Sequence, residues 1–232
     1  MPSIFAFLRD QLTGFFGGER FPPVALSGAF VCIAVFFLAV ATVASIGGDF
    51  PLNDDWAYGE STRVFLQSGR LYMPTVCAAG FAHIFWGSLF AKLFGFSYVV
   101  LRYATIVAGA MGAYFVFLTL VALGIHKRES LFAALVYAGN PIMINLYLGF
   151  MSDIPALSLC AAYFFFLLLG LKRLSIKYLA LSLLLLILAI TIRQSSVVLA
   201  LAAPSILFSR IGTMRKRILL ALGFFLVALF AF

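Results

Sequence analysis

Residues 76–96 read VCAAGFAHIFWGSLFAKLFGF, and whether this stretch crosses a membrane decides the fold. Its length matches the roughly 20 apolar residues that cross about 30 Å of hydrocarbon. It also carries His83 and Lys92, is interrupted by Gly80 and Gly87, and is closed by Gly95. Such a segment either spans or lies at the surface as a juxtamembrane or re-entrant helix. Every later loop changes side with the answer.

Basic residues separate the two readings better than hydropathy does. Suppose the stretch stays out of the bilayer and the N-terminus is cytoplasmic. Arg9, Arg20, Lys127, Arg128, Lys172, Arg173, Lys177, Arg210, Arg215, Lys216 and Arg217 then face the cytoplasm. Arg63, Arg70, Lys92, Arg102 and Arg193 face outward, so the 16 Lys and Arg divide 11 against 5. If the stretch spans, the balance becomes 5 against 11. The positive-inside rule selects the non-spanning reading. The same parity brings Asp153 to the side of Asp49, Asp54, Asp55 and Glu60, although no acidic residue entered the choice.

Composition requires a membrane in either case. Of 232 residues 64% are hydrophobic and 10% charged, with a mean hydropathy of +1.12. A soluble globule of this size lacks the interior to hide so much apolar surface. The net charge of +8 therefore reads as basic loops beside anionic lipid rather than as a nucleic-acid surface. Cys32, Cys77 and Cys160 match no metal spacing or disulfide framework and read as packing residues. Residues 1–23 read as a cytoplasmic segment, because the run at 24–46 is longer than a signal-peptide core. Further apolar runs lie at 99–124, 131–148, 155–171, 178–208 (two short spans around Arg193) and 218–232. The expected fold is all-α and polytopic, with about seven transmembrane helices. Juxtamembrane helices are expected in a first outer loop at 47–98. Asn140-Pro141 should kink the helix at 131–148. The chain stops at Phe232 inside an apolar run, so residues 24–232 are expected to be the N-terminal part of a longer membrane module.

Chemistry concentrates in GGDFPLNDDWAYGE, residues 47–60, which holds four of the eight acidic residues. A fifth, Asp153, lies in Phe-Met-Ser-Asp-Ile-Pro, residues 150–155. A carboxylate at the edge of hydrocarbon loses hydration and becomes a better base. Adjacent Asp54 and Asp55 can divide roles, one taking a proton and the other orienting a substrate or metal. Structural readings compete: Asn53 or Asp54 as cap of a surface helix reaching about Ser68, and Asp153 as cap of the helix that carries Pro155. Arg102 and Arg193, each near an outer helix end, offer planar forks for phosphate, or snorkel to headgroups. Lys92 reads as a snorkelling residue and His83 as a packed polar residue or a ligand contact. Trp56, Tyr58, Tyr72, Trp86, Tyr98, Tyr103 and Tyr147 fall toward the outer side as an aromatic belt. Trp56 and Tyr58 also stand close enough to the aspartates to stack on a substrate ring.

Taken in order, several short patterns resemble one family. They are Asn53-Asp54-Asp55-Trp56-Ala57-Tyr58, Leu66-Gln67-Ser68-Gly69, Leu93-Phe94-Gly95-Phe96-Ser97, Leu101-Arg102, Asn140-Pro141 and Asp153-Ile154-Pro155. Over about residues 24–195 the set is similar to GT-C glycosyltransferases of the protein O-mannosyltransferase and aminoarabinose transferase type, including bacterial relatives with an Asp-Asp-Trp-Ala-Tyr stretch. The resemblance implies transfer of a sugar from a polyprenyl-phosphate carrier to a glycan, lipid or protein acceptor, with inversion. It implies a bacterial inner membrane with the site facing the periplasm or exterior. Asp54 matches the first-loop aspartate that is implied to be the base, Asp55 stands where many relatives have glutamate, and Asp153 matches the second-loop acid. Where relatives carry Lys-Pro this chain has Ala79-Gly80, which leaves phosphate recognition to Arg102 and Arg193. A sugar phosphate is already a good leaving group, so the reaction needs a base and a nearby cation but no cofactor. A divalent metal is compatible with the carboxylates but is not demanded. Two other functions fit the same residues: a transporter using outer-side carboxylates, and a non-catalytic fragment of the same fold.

Overall fold

The computed structural model describes residues 23–43, 48–52, 54–74, 80–208 and 213–230. Most of the expected cytoplasmic segment 1–23, together with Asn53, Cys77, Ala79 and Arg210, lies outside them. The described chain is all helix: α1 Pro23–Val43, α2 Asp55–Ser68, α3 Phe81–Phe94, α4 Tyr98–Ala122, α5 Lys127–Ala138, α6 Pro141–Tyr147, α7 Asp153–Lys172, α8 Ile176–Ile192, a 3₁₀ helix Gln194–Phe208, and α9 Met214–Phe230. By length and composition α4 and α7 can each cross a membrane, and α5 with α6 can do so as one span bent by 63°. The bend falls at Asn140-Pro141. Asn140 Oδ1 accepts the Ile142 N–H at 2.9 Å and Pro141 opens α6, so the break is a capped restart. The long run at 178–208 breaks at Arg193, whose backbone is extended.

Packing registers settle which helix ends lie together. Ser158 on α7 donates to Ala108 O on α4 at 2.6 Å, and Lys172, further along α7, donates to Ala122 O further along α4. These two long helices therefore run parallel and begin at the same end. In contrast, α1 runs antiparallel to α4. Phe30 meets Tyr114 edge-on with centroids 5.6 Å apart, while Arg102 near the start of α4 donates to Gly48 O and Phe50 O just beyond α1. The chain from 48 to 97 thus leaves and returns at one end of the bundle. With 14 residues, α3 is about 21 Å long at 1.5 Å per residue, too short to cross. Within 76–96 the described residues form no helix long enough to span.

One apolar core joins α1, α4, α5, α6 and α7, around Ile33, Phe37, Phe117, Tyr147 and Phe165. A second, around Tyr163, Leu186, Ala203 and Phe224, joins α7 and α8 to the 3₁₀ helix and α9. Tyr147, assigned by sequence to the interfacial belt, instead lies fully buried in the first core, its ring 4.9 Å from Phe37. Small residues allow the α4–α7 approach. A Cβ on Gly112 would lie 2.6 Å from Ser158 Oγ and 3.0 Å from Ser158 Cα. The second of these is backbone, which no rotamer change can clear. Gly112→Val is expected to cost about 1–3 kcal/mol by overpacking, read as a lower melting temperature in detergent. Gly28→Ala, inside α1 where a Cβ meets nothing within 4 Å, should not lower it.

Candidate active site

The end of the bundle where α1 finishes and α4 and α7 begin holds Asp49, Asp54, Asp55, Glu60 and Asp153. Its framework comes from backbone groups that the helices leave unpaired. Ser97 Oγ accepts the Val100 N–H at 3.1 Å and Asp49 Oδ1 accepts the Tyr98 N–H at 2.6 Å, so both groups satisfy the first turn of α4. A negative charge there also meets the positive end of the helix dipole. Arg102, 1% exposed, straps the chain after α1 to α4 through the carbonyls of Gly48 and Phe50, with its guanidinium 5.7 Å from the Phe50 ring centroid. Its side chain points inward.

The paired aspartates separate completely. Asp55 is 0% exposed, and its carboxylate accepts the Leu52 N–H at 2.9 Å and the Phe150 N–H at 3.4 Å. Its neighbour Asp54 stands at the N-cap position of α2, exposed and making no side-chain cap bond. Capping does not account for Asp54. Along the same helix Trp56 is exposed, whereas Tyr58 is buried with its hydroxyl 3.1 Å from Ser152 Oγ. Two bonds, Asp55 to Phe150 and Tyr58 to Ser152, therefore join the first loop to the turn that carries Asp153.

Asp153 opens α7 from within its first turn. Ser152, not Asp153, holds the N-cap position. The Asp153 carboxylate instead accepts from the Arg193 guanidinium at the end of α8, a pair open to solvent on both sides. Half-exposed ion pairs of this kind add little stability, so Arg193 can exchange partners at small cost.

His83 on α3 is fully buried. Its ring stacks on Phe150 with centroids 3.9 Å apart and meets Tyr58 edge-on at 5.1 Å, and Nε2 lies 3.3 Å from Phe150 O. A carbonyl only accepts, so Nε2 carries the proton in this bond. Burial lowers the imidazole pKa from 6.5 to about 4, because loss of hydration penalises the cation by more than the bond to the Phe150 carbonyl favours it. Sequence marks Gly87 only as an interruption of 76–96, and Phe150 and Ser152 only as neighbours of Asp153, with no role at the site. The pointers available were Gly149-Phe150 just ahead of Asp153 and a glycine one helical turn after His83. Lys92 is exposed on α3. Among the described residues no three His, Cys, Asp or Glu side chains gather where they could hold a metal ion.

Two acidic turns at one end of an all-α apolar bundle, with short helices lying beside it, define a polytopic membrane protein of GT-C type. The chain belongs to the family described as dolichyl-phosphate-mannose-protein mannosyltransferase, whose model matches residues 80–232. It is thereby a GT-C superfamily glycosyltransferase. His83, Arg102, Asp153 and Arg193 lie within the matched residues, and Asp54, Asp55, Trp56 and Tyr58 precede them. Neither the curated proteins nor the solved structures compared with the chain give a match.

The buried histidine sets a pH dependence. Its folded pKa lies below the free value, so the unfolded segment binds the proton first as pH falls. Stability is intact above pH 6.5 and declines toward pH 4. At pH 5 the loss is up to about 2 kcal/mol. His83→Gln cannot titrate and should lose less melting temperature than wild type between pH 7 and pH 5, measured in detergent.

Proposed function

We propose that the chain transfers a sugar from a polyprenyl-phosphate-linked donor to an acceptor hydroxyl on the extracytoplasmic side, with inversion at the anomeric carbon. Asp54 is the general base. Asp55, its buried neighbour, fixes the turn from which Asp54 projects. The observation that carries this reading is that division: one carboxylate is immobilised by backbone N–H groups while the next faces water. A base must meet the acceptor hydroxyl within about 3 Å. Of the two, Asp54 is the one a substrate can reach.

The reaction divides among the remaining residues. The acceptor oxygen attacks the anomeric carbon as Asp54 takes its proton, and the carbon–oxygen bond to the phosphate breaks with its electron pair. Negative charge then builds on the leaving phosphate. Arg193, released from Asp153, stabilises that charge with its two-pronged donor face. Asp153 returns the arginine to place after product leaves. Trp56, exposed beside Asp54, offers a face on which a sugar ring can stack, while Tyr58 and Arg102 hold the loop. No cofactor is needed, since the phosphate is already activated. Family membership supports a lipid-linked sugar donor and a protein or glycan acceptor. The 11-to-5 division of basic residues supports the extracytoplasmic placement of this end.

Asp54→Asn keeps the shape of an exposed side chain and removes the base. Membranes expressing this variant, given radiolabelled polyprenyl-phosphate mannose, should transfer label about 10² to 10⁴ times more slowly than wild type at equal protein level. Transfer at the wild-type rate would remove the base assignment.

A further inference from the structure

Phe150 is held on every side by parts of the first loop and α4. Its N–H donates to Asp55 Oδ2 at 3.4 Å, and its C=O faces His83 Nε2 at 3.3 Å. Both backbone hydrogen-bonding groups of one residue are thus taken by side chains 95 and 67 positions away. Its ring, fully buried, lies in a small separate core with Tyr58, Leu101 and Ala104. The seat for that ring exists because residue 87 is glycine. A Cβ there would come within 2.3 Å of Phe150 Cζ and 3.1 Å of both ring ε carbons. Three residues later comes Asp153.

We propose that Phe150 is the register point between the two acidic turns, and that His83 and Gly87 are positioning residues that set where Asp153 and Arg193 stand relative to Asp54. This rests on the reading that transfer occurs between those turns. His83 acts through the Phe150 carbonyl, as a neutral donor whose Nδ1 is buried with no hydrogen-bond partner among the described residues. A buried imidazole with one nitrogen unsatisfied is expensive for a purely packing role, and an apolar side chain would fill the space at lower cost. What an apolar residue cannot do is fix the Phe150 carbonyl. Small displacements of catalytic groups are costly for rate, because a shift of about 1 Å can slow a reaction about 100-fold. Loss of the clamp therefore acts on turnover rather than on donor binding.

The test uses the full chain in detergent, with polyprenyl-phosphate mannose as donor, and compares His83→Ala, His83→Gln and Gly87→Ala. A glutamine amide can donate to the Phe150 carbonyl as Nε2 does. His83→Ala and Gly87→Ala are expected to lower kcat about 10- to 100-fold with KM for the donor within about twofold, and His83→Gln to restore most of kcat. Hydrogen exchange supplies a readout independent of activity. The peptide covering 149–152 should exchange faster in the alanine variants and stay protected in His83→Gln, while α4 and α7 remain as in wild type. The proposal is overturned if exchange at 149–152 does not change, if glutamine fails to rescue, if KM rises with kcat intact, or if α4 and α7 loosen as well. Full activity in Asp54→Asn would remove the assigned function. The exchange pattern would still decide the clamp.

Discussion

The carboxylate of Asp55 sits out of solvent between two stretches of chain 95 residues apart. Removing a carboxylate from water costs several kcal/mol unless hydrogen-bond donors replace the lost hydration. Here the donors are the backbone N–H groups of Leu52 and Phe150. One donor comes from the loop of Asp55 itself and the other from a turn 95 residues away, so the compensation is shared between the two. Loss of the Phe150 turn would remove one of these donors from the buried acid, and loss of Asp55 would take an acceptor from the Phe150 amide.

Everything at this end of the bundle is arranged around that dependence. Arg102 holds the carbonyls of Gly48 and Phe50, which fixes the approach to α2. Asp49 and Ser97 close the first turn of α4, on which Leu101 and Ala104 form the floor of the Phe150 seat. The parallel run of α4 and α7, enforced by Gly112 against Ser158, places the start of α7 beside the start of α4. Asp153 is then within reach of Arg193, and Asp54 is the acid of the first loop left facing water at the head of α2. Buried backbone groups are satisfied by side chains at every step, which leaves the exposed acid and the solvent-open ion pair for chemistry.

Much of the architecture could be read from sequence because it rests on local signals. Apolar runs marked the helices, Asn140-Pro141 marked the 63° bend, and Arg193 marked the break in the long run. What escaped was set by contacts between distant positions. Adjacent helical residues point about 100° apart, so Asp54 and Asp55 face different ways. Which one turns inward depends on where Phe150 sits, and nothing within the 47–60 segment encodes that. For Arg102, position at a helix start suggested a phosphate fork, but its partners are carbonyls more than 50 residues earlier. The capping reading of Asp153 failed for a similar reason, since its partner is 40 residues away. Tyr147 looked interfacial because sequence gives its depth in the bundle but not its facing.

The exposed side of α3 explains why the site lies where it does. His83, Ile84, Gly87, Ser88 and Ala91 turn inward, so the buried face is small and partly polar. Phe81, Phe85, Leu89 and Leu93 turn outward, four large apolar side chains at successive helical turns. That is the reverse of a helix on a soluble protein, where the apolar stripe faces the core. An outward stripe of this size marks a surface that is covered, by hydrocarbon or by another protein segment. At about 21 Å, α3 is short for a span, and the stripe suits a place along the bilayer surface with Lys92 reaching toward headgroups. The Phe150 seat is on its inner face and the apolar stripe on its outer face. For a donor carried on a lipid tail, as proposed above, this arrangement would bring the reacting group to the acidic turns without leaving the membrane, with the exposed Asp54 on the water side.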